Sequence, residues 1–324
     1  MNRPGLFPFV PLYAAAIAVR RFAYDHELLT PDTLRWPVVS IGNLSVGGSG
    51  KTPLVIRLAQ LLKAQGIYVD VLSRGYGRSS KATTLVDPFG SPTRFGDEPI
   101  VIARTAEVPV IVGVTRYRAG RHAQAPFGPH IRGLHLLDDG FQHRQLARNV
   151  DIVLVRADDL DQTLLPAGNL REPLAALARA DFLVIREDES EIEPRLRELG
   201  FQQPIWKTTR RLAVPGEGER CFAFCAIARP TEFFHDLRVA GKFIVGHDTF
   251  RDHHRYTLSD ARALAYQATA LGADCFLTTV KDGVKLDKKV LALLEAVAPI
   301  HAVPLFTSFQ DEPAVVGELL ARLD

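Results

Sequence analysis

VVSIGNLSVGGSGKTP, Val38 to Pro53, decides how this chain is read. It opens as an apolar, β-branched run, passes Gly42, Gly47, Gly48 and Gly50, and closes in Lys51-Thr52 at the start of a helix-compatible segment. The order is strand, phosphate loop, helix. A loop that turns successive backbone N–H groups toward a polyphosphate has no room for bulky side chains, which is why glycine recurs there. Gly47, Gly48, Ser49, Gly50, Lys51 and Thr52 are therefore the candidate ATP-binding residues: Lys51 reaches the β- and γ-phosphates, the Thr52 hydroxyl ligates Mg²⁺, and the helix N-terminus adds its positive end. Pro53 suits a first helical turn, where an N–H is dispensable. Ser45 departs from the generic pattern, which asks for glycine at that position. The competing reading is a glycine-rich turn that happens to carry Lys-Thr.

The bulk properties suit an α/β enzyme. At 324 residues the chain exceeds one ordinary core and suits two α/β units, taking ~150 residues per domain. Apolar residues at 47% and charged residues at 23% describe a globular protein. A net charge of +2 argues against a general nucleic-acid binder, although 39 Lys and Arg leave enough cations for a local anion site. Cys221, Cys225 and Cys275 lack a CxxC spacing and read as reduced core thiols.

Outward from the loop, Leu54, Val55, Leu58, Leu61 and Leu62 recur at helical spacing up to Ala64. Tyr68 to Leu72 is a short strand, and SRGYGR follows at its carboxyl end, where ligands gather in open α/β sheets; Arg74 and Arg78 are candidate anion contacts or members of a surface loop. FGDEP opens a helix that Asp97 can cap. Arg116 sits at the end of the strand Val108 to Val114. Leu134 to Asp138 is an apolar strand ending in acid and followed by DGFQHR, with the character of a Walker-B strand that delivers a carboxylate to the metal beside a phosphate loop. LPAGNLREP is an ordered loop carrying Arg171 and Glu172. The chain restarts after GEGER, with Thr231 as cap of the helix Glu232 to Leu237 and the polar cluster FRDHHRYT after the strand Lys242 to His247. Leu6 to Val19 is an apolar run of 14 residues, short of the ~20 a span requires, and reads either as an interfacial helix or as a first helix packed on the core.

GNLSVGGSGKTP, SRGYGR, FGDEP, LLDDGFQHR, LPAGNLREP, FRDHHRY and TTVKDGVKL follow one another as in the tetraacyldisaccharide 4′-kinase family, which this chain resembles over nearly its whole length. Val280 departs from the Glu usual there, while Ser45 is ordinary for the family. The resemblance implies ATP- and Mg²⁺-dependent phosphorylation of the 4′-hydroxyl of an acylated glucosamine disaccharide in lipid A biosynthesis. It implies Asp97 as catalytic base oriented by His253, Lys51 on the phosphates, Thr52, Asp138, Asp139 and Glu172 on the metal, and Arg74, Arg78, Arg116 and Arg171 toward the substrate. The fold it implies is a P-loop NTPase-like, mostly parallel sheet domain with a second, smaller α/β domain. Residues 1–24 are then a membrane-interfacial helix, 25–212 the kinase domain and 213–324 the smaller domain, at the cytoplasmic face of the inner membrane with no obligatory protein partner. The rivals are a P-loop kinase or ligase of a soluble metabolite and a nucleotide-switch ATPase. Val46, at the position where such switches carry a second lysine, counts against the last.

Overall fold

The computed structural model describes residues 3–216 and 219–323, so GEGER lies partly outside the described residues. The strands run β1 (Val38–Asn43), β2 (Val69–Ser73), β3 (Thr84–Leu85), β4 (Val110–Val112), β5 (Leu134–Asp138), β6 (Val150–Leu154), β7 (Phe182–Arg186) and β8 (Ile205–Leu212), then β9 (Arg220–Cys225), β10 (Phe243–Thr249), β11 (Cys275–Thr279), β12 (Ile300–Val303) and β13 (Leu305–Phe309). Nine of them form one sheet in the order β13-β8-β7-β6-β1-β5-β2-β4-β3, and four form a second in the order β10-β9-β11-β12. The second sheet is wholly parallel, and the first departs from parallel only at its two edges, where β3 and β13 run antiparallel.

Parallel strands are buried on both faces, which is why β1 and β5 read as continuous apolar runs and have no exposed residue. Helix α1 (Val10–Asp25) precedes β1, and α2 (Lys51–Ala64) packs Leu54, Val55, Leu58 and Leu62 against one face. The short α3 (Pro92–Phe95) and α4 (Asp97–Ala106) follow, and α5 (Arg116–Gln124) comes after β4. Alternation along β6 divides its side chains between the faces: Ile152 and Leu154 join the core under α2, while Val153 joins a second core with Leu44 and Phe141.

The chain does not end in the smaller sheet. Residues 220–303 build it, but β13 returns to pair with β8, and the terminal helix Glu312–Leu323 buries Val315 and Leu319 in the core under α2. Arg57 of α2 holds Glu312 at 2.7 Å, and Trp206 donates to Glu318 at 2.8 Å. The C-terminal stretch of 213–324 thus belongs to the large sheet, a long-range pairing that local pattern does not encode. Thr231 is also inside its helix rather than capping it, since Pro230 takes the first position of Pro230–Val239.

Between the two sheets, Glu232 accepts from Arg156 at 2.8 Å, Arg210 at 2.6 Å and Arg229 at 3.2 Å, and from Arg186 at 3.3 Å. Burial works to raise this carboxyl, but the Arg156 hydrogen bond and its charge, with Arg210, outweigh it and hold it down at about 2.

Helix α1 stands outside both cores. Helical structure is continuous from Pro4 through Asp25, 22 residues, and none is buried, with Phe7, Phe9, Leu12, Val19 and Phe22 exposed. That removes the core-packed reading. By length and composition alone the stretch also meets the requirement for a span, because the helix continues past the 14-residue apolar run. Its ties to the body are polar: Tyr13 to the Arg171 carbonyl at 3.1 Å, Arg20 to the Gln142 carbonyl at 2.9 Å, and Asp25 to Arg144 at 2.8 Å.

Because Leu319 is fully buried, Leu319→Ala is expected to destabilise the large domain by ~2–5 kcal/mol in urea titrations followed by Trp206 fluorescence. A loss under ~1 kcal/mol would place the terminal helix outside the cooperative unit.

Candidate active site

The phosphate loop leaves the carboxyl end of β1, the central strand. Gly47 and Gly50 have φ of +102° and +92°, left-handed values that strain any side-chain-bearing residue. A Cβ on Gly42 would meet that of Phe141 at 2.5 Å, because the turn after β5 passes directly beneath. Ser45 has a task that glycine could not perform: it is buried, and its carbonyl and hydroxyl both accept from the Asn43 amide, at 2.8 and 3.2 Å. Lys51 is held by Asn43 Oδ1 at 2.8 Å and pairs with Asp139 at 3.3 Å. A Cβ on Gly48 would lie 3.4 Å from that of Ala228, so the loop faces the segment following β9 of the second sheet.

Beside it, Asp138 closes β5 and lies in register with Ile41 of β1. It accepts from Ser73 Oγ at 3.2 Å and has no ion pair among the described residues. Burial, reinforced by the charges of Glu98 and Asp139, pushes its carboxyl up to about 7. Asp139 follows with φ +52°. Burial acts upward on it too, but Lys51 and Arg171 outweigh that and hold it at about 2. One Arg171 nitrogen reaches both Asp139 oxygens at 2.8 Å.

On the large-domain side of the cleft, Asp97 occupies the first position of α4, and its two oxygens do different things. Oδ1 accepts from the Glu98 backbone N–H at 3.0 Å and Oδ2 accepts from His253 Nδ1 at 2.9 Å; Asp97 does not cap the helix, because Gly96 takes the N-cap position. Residues 156 positions apart thus meet from the two sheets. His253 has φ +61° and is fixed by its own N–H on Asp252 Oδ1 at 3.0 Å. Burial acts to raise Asp97, yet the His253 hydrogen bond and the Lys281 charge keep it below the usual carboxylate range. The same hydrogen bond raises His253, against burial and Lys281. His254 faces elsewhere, bonded to Asp260 at 3.0 Å and stacked on Phe250.

The other candidates separate. Arg116 is buried with a guanidinium nitrogen 3.3 Å from the Asp138 carbonyl and Nε unpartnered. Burial first, then the charges of Arg116, Arg148, Arg20 and Arg74, push His143 down to about 4, which marks a cationic pocket next to the carboxylates. Arg78 is engaged within its own loop, on the Ala82 carbonyl at 2.6 Å, and Glu172 pairs with Arg179 at 2.9 Å. Sequence reasoning missed Lys281, Glu98 and Asp252, which surround the Asp97–His253 pair. Each lies in a quoted motif, but only the tertiary structure brings the motifs together.

The fold and site define a P-loop phosphotransferase, with a nucleotide loop, paired acids and a carboxylate in the large domain and the histidine bound to that carboxylate coming from across the cleft. The model of the tetraacyldisaccharide-1-P 4′-kinase family matches residues 3–324, and the chain belongs to that family. It is 47% identical to the tetraacyldisaccharide 4′-kinase of Koribacter versatilis over 98% of each chain, and 37% identical to that of Aquifex aeolicus over 88% of this chain and 90% of the other. It also resembles the crystal structure of LpxK from Aquifex aeolicus in complex with ATP, at 33% identity and a TM-score of 0.77 over 98% of both chains.

Since His253 bonds Asp97 while His254 bonds Asp260, His253→Ala is expected to lower kcat ~10²–10⁴-fold and His254→Ala to leave it within ~3-fold, both read at saturating ATP. The opposite ranking would transfer the role to His254.

Proposed function

We propose that this protein is an ATP-dependent kinase transferring the γ-phosphoryl group to the 4′-hydroxyl of tetraacyldisaccharide 1-phosphate, giving lipid IVA in lipid A biosynthesis. The observation that carries the mechanism is the Asp97–His253 hydrogen bond at 2.9 Å, formed between α4 of the large domain and the smaller domain. Asp97 accepts the proton of the 4′-hydroxyl as its oxygen attacks the γ-phosphorus, the bond to the β-phosphate oxygen breaks, and ADP leaves. His253 holds the carboxylate in orientation and leaves its remaining lone pair for the acceptor.

Lys51 leaves Asn43 and Asp139 for the β- and γ-phosphates, while loop N–H groups and the α2 terminus hold the remaining oxygens. The donors Thr52, Asp138 and Asp139 suit Mg²⁺: they are hard oxygen ligands, and the buried, unpaired Asp138 carboxylate gains the cation it lacks. Mg²⁺ there supplies charge neutralisation of the triphosphate. Glu172 has its cation in Arg179, and Arg171 acts on Asp139. Arg74 and Arg116 remain as the cations for substrate anions.

A lipid acceptor stays in its membrane, so the kinase must come to it. The unburied α1, apolar and edged by Arg20 and Arg21, supports docking at the cytoplasmic face of the inner membrane, with its polar ties placing the Arg171 and Gln142 loops near the interface.

Incubation with ATP, Mg²⁺ and the acylated disaccharide 1-phosphate should add one phosphate by mass spectrometry, and Lys51→Ala should abolish that addition while keeping its thermal transition. An active Lys51→Ala enzyme would reject the loop assignment. Deleting residues 1–21 should move the protein from membrane to soluble fractions with ATP affinity retained. Loss of the thermal transition on that deletion would instead make the helix part of the fold.

A further inference from the structure

We propose that Lys281 is a positioning residue for phosphoryl transfer: its ammonium joins the two sheets at the chain neighbours of both Asp97 and His253 and holds that pair in working geometry. This inference rests on the reading of Asp97 as the base.

Lys281 sits in the short helix Val280–Gly283 that follows β11. That turn is firmly anchored. The Thr279 hydroxyl accepts from the Asp282 N–H at 3.0 Å, and the fully buried Asp282 carboxylate accepts from the Thr279 hydroxyl at 2.6 Å, the Ala226 N–H at 3.1 Å and Tyr256 Oη at 3.1 Å, and pairs with Lys285 at 2.7 Å. With Asp282 locked into the small domain, Lys281 extends toward α4 instead. Its Nζ donates to Glu98 Oε1 at 3.0 Å and Asp252 Oδ1 at 3.1 Å, and lies 3.5 Å from His253 Nε2. An ammonium has three protons, and these are three acceptors.

Glu98 adjoins Asp97 in α4, and Asp252 adjoins His253 in the smaller domain. One cation therefore bonds the residue next to each member of the pair, from either side of the cleft. The third contact concerns the imidazole itself. With Nδ1–H given to Asp97, a neutral ring offers its lone pair at Nε2, and an ammonium proton facing that atom favours this tautomer over imidazolium. The Lys281 charge thereby opposes the ring protonation that the Asp97 hydrogen bond favours, while His253 remains a hydrogen-bond donor to Asp97. Val280, where the family usually carries Glu, packs on the core under α2 and leaves the Lys281 contacts untouched.

Glu98 and Asp252 are about one-third exposed, so as mere ion pairs they would contribute little to stability. A structural role and a positioning role therefore separate in the readouts. Lys281→Met, which keeps the stem and removes the charge, should lower kcat ~10–100-fold with KM for ATP within ~2-fold, and Lys281→Arg should recover most of the loss. In a His253→Ala background the same replacement should change kcat by under ~3-fold, since residues acting as a unit are non-additive. Nitrogen NMR of the His253 ring should show the Nδ1–H tautomer in the parent and a mixture in Lys281→Met. If Lys281→Met lacks a thermal transition, Glu98→Gln/Asp252→Asn is judged by the same criteria. A parental kcat in Lys281→Met, an equal loss in the His253→Ala background, or an unchanged tautomer overturns the proposal. Asp97→Ala measured alongside tells the two readings apart: a parental rate there rejects the base assignment itself, whereas an inactive Asp97→Ala beside an active Lys281→Met rejects only Lys281.

Discussion

Everything in this site depends on how the two sheets are held against each other, and Glu232 is one carboxylate on which several cations from the large sheet converge. Arg156 and Arg186 come from the ends of strands in the large sheet and Arg210 from β8, and all three converge on one carboxylate of the smaller domain. A single acid with this many cations around it stays ionised and directional, and it sits on the same side of the large sheet as the phosphate loop. The returning β13 and terminal helix add a second constraint, because the smaller domain is tethered to the large one at both of its ends.

That tethering explains why the candidate catalytic groups are divided. Lys51, Thr52, Asp138 and Asp139 belong to the carboxyl edge of the large sheet, where the central strand ends and its neighbours β5 and β6 flank it. His253 belongs to a loop of the smaller sheet, and Asp97 faces it from α4. A lone carboxylate near a triphosphate would repel the nucleotide. Bonded to His253 from across the cleft and near Lys281, Asp97 remains ionised.

The two acids of the DDG motif show how neighbours diverge in function. Asp139 is saturated by Lys51 and Arg171, while Asp138, one residue earlier and buried, has no ion pair among the described residues and is pushed upward by burial against the charges of Lys51 and Arg116. The strand geometry is responsible. Asp138 is the last in-register residue of β5, and the left-handed turn at Asp139 redirects the next carboxylate toward the loop lysine.

The residues alone determined the strand–loop–helix around Lys51, because a glycine-rich turn between a β-branched run and a helical repeat has few other solutions. They also determined the buried parallel strands, since continuous apolar runs cannot face water. Asp97, His253 and the paired acids were legible through motif order. What the tertiary structure decided is contact. The core-packed reading of Leu6 to Val19 fails because no residue of that helix is buried, and Glu172 and Arg78 are drawn to Arg179 and Ala82 by neighbours that a linear pattern does not reveal. The return of residues 305–323 to the large sheet and the choice of His253 over His254 depend on long-range pairing and on the backbone twist at φ +61°. Lys281 belongs with them: the sequence places it in a motif, but only the closure of one sheet on the other gives its ammonium three acceptors.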